Sequence, residues 1–127
     1  MVMLADPGRL SVYVVEGENR PGLDAPLLKP PFFNVYIDHL VCTGKTKIPS
    51  ACRPSDIDAW AESFYNSAFT HPNAHDRDFL IKGTIEKLWR ELFSGKRKRF
   101  PYHLLKPAGK TLRQLLIERN LYEPKRP

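Results

Sequence analysis

The chain has 127 residues, 20 Lys and Arg against 14 Asp and Glu, 42% hydrophobic residues and twelve prolines. That balance fits one folded, basic domain with short regular elements and excludes a disordered chain. No apolar run approaches the roughly eighteen residues of a membrane-spanning helix, so no membrane partner is expected. The N-terminal MVMLADPGR lacks the basic and apolar regions of a signal peptide, which predicts a cytoplasmic protein.

The N-terminal third reads as β. Leu10, Val12 and Val14 alternate with Ser11, Tyr13 and Val15, the period of a strand. A second alternation over Phe32–Cys42 puts Phe33, Val35, Ile37, His39 and Val41 on one face and predicts a second strand. His39 on that face is expected to be a core histidine with one hydrogen-bonded nitrogen. Between the two runs, Gly17–Pro31 holds Pro21, Pro26, Pro30 and Pro31 with no periodic pattern. It reads as a long surface loop.

Cys42 and Cys52 flank a second connection. In the absence of secretion signals they are expected to be reduced, although their spacing alone does not exclude a disulfide. With His71 and His75 they would complete a zinc set. Nine residues between the cysteines, where two to four are usual, argue against it, and no metal or other cofactor is expected. Gly44-Lys45-Thr46 resembles the end of a phosphate loop, but its first required glycine falls on His39. Asp38 and His39 point to opposite faces of a strand and cannot form a dyad. No serine or cysteine stands in a recognisable nucleophile motif.

The period then changes. Ser55 is a candidate cap for a helix over 55–69, with Ile57, Trp60, Ala61, Phe64, Tyr65 and Ala68 on one face. A second helix is predicted over 76–94, with Leu80, Ile81, Ile85, Leu88, Trp89 and Leu92 as its stripe and Gly95 as its stop. About six residues separate these helices, more than the three or four of a helix-turn-helix. Phe100–Pro107 fits a short strand or a turn of helix, and Thr111 caps a third helix ending near Asn120. Strands before helices predict an α+β fold: a small antiparallel sheet from the N-terminal third packed against two or three helices from the rest. Val12, Val14, Val35 and Ile37 join the two longer helical stripes in the expected core.

Charge is distributed unevenly. Residues 96–127 hold ten Lys and Arg against Glu118 and Glu123, a balance of +8, whereas residues 1–95 hold ten bases and twelve acids, −2. Four cations in succession, Lys96, Arg97, Lys98 and Arg99, need solvent or a counter-charge, and phosphates supply one. Tyr102 and His103 offer rings on which a base could stack, and Lys106, Lys110 and Arg113 extend the surface. The chain is therefore read as a small non-enzymatic nucleic-acid-binding protein using residues 96–113. The same four cations would serve as an import signal in a eukaryotic host. The alternative is a protein-interaction module or accessory protein, viral, plasmid-borne or a complex subunit. Such a module would dock on a larger machine or meet an acidic protein surface.

Overall fold

The computed structural model describes residues 1–125. Two small antiparallel sheets and four helices form a mixed α+β domain, as the change of period predicts. β1 (Val2–Asp6) and β2 (Arg9–Tyr13) make a hairpin with Val2 opposite Tyr13 and Asp6 opposite Arg9. β3 (Pro26–Leu28) pairs with β4 (Pro107–Thr111), Pro26 facing Thr111. Reciprocal bonds between Val14 and Leu28, 3.0 and 2.8 Å, join the two sheets. Part of the expected 17–31 loop is therefore a strand. Its neighbours Leu23, Ala25 and Lys29 also bond to the C-terminal third: their carbonyls accept from Arg113 and Leu112, and the Lys29 N–H donates to Lys106.

β2 is buried on both sides, and this arranges the helices. Leu10 and Val12 pack with Val35, Val41 and two residues of α1 (Ile57–Tyr65), Trp60 and Phe64. Val14 packs with Phe79, Leu80, Ile85, Leu88 and Leu105, around α2 (Asp76–Phe79) and α3 (Ile85–Phe93). Tyr13 and Val15 turn the other way, onto Leu27 and Leu115 of α4 (Leu112–Glu118). The core draws on all four helices, and Ile37, expected inside it, is 56% exposed.

Three further elements depart from the sequence expectation. The predicted 76–94 helix is two helices. Gly83 (φ +84°) breaks it, Thr84 caps α3 by accepting from the Lys87 N–H, and Leu80 bridges antiparallel to Leu105. A capped restart and an extended pairing together outcompete the continuous helix, and Ile81 is left exposed. At α1 the cap is not Ser55. A 3₁₀ turn at Pro54–Asp56 precedes the helix, and the Asp56 carboxylate accepts from the Arg53 N–H and guanidinium. Phe32–Cys42 is no strand; it doubles back on itself, as described next. The expected stops and caps at Gly95 (φ +72°) and Thr111 stand, and Tyr102–Leu104 forms a 3₁₀ turn. Among the described residues no helix is long and apolar enough to cross a membrane.

Candidate functional site

The doubled-back segment is built from backbone bonds at its ends. Val35 bridges Val41, the Tyr36 N–H donates to Leu40 at 2.8 Å, and the His39 N–H closes the tip on Tyr36 at 2.9 Å. His39 adopts φ +72°, the left-handed conformation this tight reversal needs. Its ring is buried, stacks on Tyr13 with centroids 4.0 Å apart, and places Nδ1 3.2 Å from the Val12 carbonyl. Burial, reinforced by the nearby Lys29 and Lys110 charges, pushes its pKa down to about 4. It is the core histidine the sequence predicts, and it pins the turn to β2 together with the Val12 N–H···His39 carbonyl bond of 3.0 Å.

This turn presents Cys42. The Cys42 N–H donates to the Asn34 carbonyl at 2.7 Å, and the neighbouring Phe33 carbonyl accepts from the Asn73 N–H at 2.9 Å. One short stretch of backbone thus holds both the cysteine and a residue 31 positions later. Asn34 is itself buried and donates its amide to Ser67 Oγ at 2.6 Å. The half-buried Cys42 thiol then meets the Tyr36 hydroxyl, the Gly44 N–H and the Asn73 side chain, which hold its pKa below the ordinary thiol value. The thiol in turn raises the pKa of Tyr36. The direction of both shifts favours placing a negative charge on the thiol rather than on the phenol. Cys52 is free and exposed elsewhere.

A second feature opens between α1 and α3. A groove of about 380 Å³ is lined by aromatic rings, including Phe32, Phe64, Tyr65, Phe69, Trp89 and Phe93. Trp89 is fixed by a 2.6 Å bond from its indole N–H to the Pro31 carbonyl, and Phe32 and Phe93 stack on it at 5.4 and 5.7 Å. Phe93 is 85% exposed and Tyr65 63%.

The basic residues are divided by their partners. Lys96 and Arg97 both meet Glu91, at 3.8 and 2.9 Å. Lys110 pairs with Glu118, and Arg113 grips Asp24 through two bonds of 2.9 and 3.0 Å while lying over the Tyr122 ring. Lys98, Arg99, His103 and Lys106 are exposed and have no carboxylate partner among the described residues. Tyr102 is half-buried, 5.0 Å from Phe100, against the cluster around Leu88. Among the described residues no three His, Cys, Asp or Glu side chains gather as a metal site.

Residues 1–108 match the family model Prokaryotic E2 family D. The chain belongs to that family. No curated protein and no solved structure matches it. The matched span includes the Cys42 turn and the aromatic groove and ends before α4. From the sequence, Cys42 reads as a reduced thiol, a candidate disulfide partner of Cys52 or half a zinc site. Tyr36 and Asn73 come to it through the turn and the Phe33 bond, which no local motif encodes.

Proposed function

We propose that this domain is a cysteine-dependent acyl carrier that works by docking other proteins, with Cys42 as its nucleophile. The observation that carries this reading is the Cys42 thiol held among Tyr36, Gly44 and Asn73 with a lowered pKa. The match to Prokaryotic E2 family D over residues 1–108 spans Tyr36, Cys42, Gly44 and Asn73, so the whole arrangement lies within the shared domain. In the transfer, the Cys42 thiolate attacks the carbonyl carbon of an incoming thioester. A new carbon–sulfur bond forms, and the donor sulfur leaves as a thiolate that takes up a proton. The Asn73 amide and the Gly44 N–H beside the thiol are the proposed donors to the negative charge that develops.

The test uses a short peptide carrying a C-terminal thioester. Intact-mass spectra should show one peptide adduct, labile to hydroxylamine and to excess thiol. The adduct should be lost in Cys42→Ala and kept in Cys52→Ala. Transfer to Cys52 at an equal rate, or no faster transfer than to an unstructured cysteine peptide, would rule the reading out.

A second reading rests on the basic residues without carboxylate partners. Lys106 lies beside Lys29 across a 2.8 Å backbone bond, and the Lys106 and Lys110 charges both act on Lys29. We propose that nucleic acid binds at these cations together with Lys98 and Arg99, with the exposed His103 ring nearby in the chain. Lys96, Arg97, Lys110 and Arg113 contribute less than their number implies, because each already meets a carboxylate. A salt titration against a mixed-sequence duplex and a single strand tests this, and absence of binding to both at physiological salt rejects it.

A further inference from the structure

The groove between α1 and α3 has an apolar floor, and the basic stretch begins just past the end of α3 that lines it. Its rings are fixed before anything binds. Trp89 is tied to Pro31, Phe32 stacks on Trp89 and meets Phe64 edge-on at 5.2 Å, and Phe64 meets Phe69 at 5.6 Å. Rigid aromatic surface costs little conformational entropy on binding, which is why such rings dominate the centres of protein interfaces. The volume of about 380 Å³ admits a few large side chains rather than a flat contact.

Charge selects the occupant. No charged side chain lines the groove. Beyond Phe93, however, α3 runs directly into the basic stretch, and residues 90–99 hold five cations and one acid. That acid, Glu91, is already shared by Lys96 and Arg97, and Arg90 takes Glu86. Lys98 and Arg99 are left exposed, and Arg99 adjoins Phe100, whose ring lies 6.1 Å from Trp89. A second copy of this chain, meeting the groove across a two-fold axis, would bring that cationic end near its own image. A nucleic acid would find phosphate contacts at the end but only the Tyr65 hydroxyl as a free hydrogen-bonding side chain among the rings.

We propose that this groove docks a partner-protein segment whose apolar side chains enter between α1 and α3 and whose acidic residues meet Lys98 and Arg99. The site is separate from the Cys42 thiol and does not depend on the acyl-carrier reading.

The probe is a pair of fluorescein-labelled amphipathic peptides with identical Leu and Phe positions at helical spacing. Glu fills the polar positions of one and Lys those of the other. In anisotropy titrations the Glu peptide should bind at least tenfold more tightly than its Lys twin. Phe93→Ser and Tyr65→Ser, both at exposed positions and expected to fold, should each weaken it about tenfold. Lys98→Glu with Arg99→Glu should erase the preference between the peptides, and Cys42→Ala should leave binding unchanged. Equal binding of the two peptides, or binding indifferent to Phe93→Ser, would overturn the proposal. So would a concentration-dependent dimer lost in Phe93→Ser, which assigns the groove to a second copy. Displacement of the Glu peptide by a single-stranded oligonucleotide in a Phe93-dependent way assigns it to nucleic acid instead.

Discussion

The Cys42 turn and the basic stretch after α3 stand in opposite relation to the sequence. The stretch is conspicuous in composition, yet folding gives Lys96, Arg97, Lys110 and Arg113 carboxylate partners and packs Tyr102 into a cluster. The turn has no conspicuous composition, yet folding surrounds one thiol with three polar groups from different places in the chain. A run of like charges reports the field of the unfolded chain, whereas reactivity is decided by neighbours that only the fold supplies.

The largest effect should come from the residue beneath both the turn and the groove. Phe64 is fully buried, packs with Val35 and Val41 under the turn, and meets Phe32 and Phe69 in the groove. Phe64→Ala should destabilise by about 3–5 kcal/mol in urea unfolding, as large-to-small aromatic changes do. Leu88→Ala, in the cluster behind the basic stretch, should cost about 2–5 kcal/mol and leave thiol reactivity intact. If Phe64→Ala unfolds at the parent's midpoint, the turn does not depend on α1 and the comparison loses its structural basis.

Thiol reactivity sharpens the comparison next. The Tyr36 hydroxyl is the first cause of the lowered Cys42 pKa, ahead of Gly44 and Asn73. Tyr36→Phe and Asn73→Ala should each move the pH midpoint of iodoacetamide labelling at Cys42 upward, Tyr36→Phe further. Each unit of displacement removes about tenfold of the thiolate at fixed pH below the midpoint. A pH–rate profile that neither substitution moves would reduce Cys42 to an ordinary accessible thiol.

His39 ties the turn to stability. Its pKa is lowered from 6.5 to about 4, so between these values the unfolded chain binds a proton that the folded chain does not. Stability from this group is present above pH 6.5 and is lost as pH falls toward 4. His39→Asn tolerates the positive φ and removes the titration, so the melting temperature should fall less steeply than in the parent over that window. An identical pH dependence in both proteins would place the acid sensitivity elsewhere.

What the sequence made legible follows from these same residues. The α+β class, the stop at Gly95 and the Thr111 cap were readable because each rests on local periodicity or local hydrogen bonding. The 34–42 reversal was not, because Val35 and Val41 pair across the tip with the same parity they would have in one strand. Alternation cannot separate a strand from a hairpin whose arms stay in phase. The split of the 76–94 helix turned on the Leu80–Leu105 bridge, a partner 25 residues away. The thiol site was hidden for a like reason: Asn73 reaches Cys42 through a backbone bond to Phe33.

The smallest expected effect tests how much of the basic stretch folding leaves unpaired. If nucleic acid binds there, each cation that meets a phosphate contributes about 0.9 to the slope of log K against log salt on duplex. Lys98→Ala with Arg99→Ala removes two exposed cations that have no carboxylate partner among the described residues and should flatten that slope by nearly two phosphate equivalents. Lys96→Ala with Arg97→Ala removes the same formal charge, but both cations already meet Glu91, and Arg97 does so in a half-buried pair. That pair of changes should flatten the slope by less and should cost some stability at the end of α3. Equal slopes for the two double variants would mean that Glu91 gives up its partners to a polyanion, and the formal charge of the sequence would then be the better guide. A smaller change for Lys96 and Arg97 would show that the paired cations were neutralised by the fold before any ligand arrived.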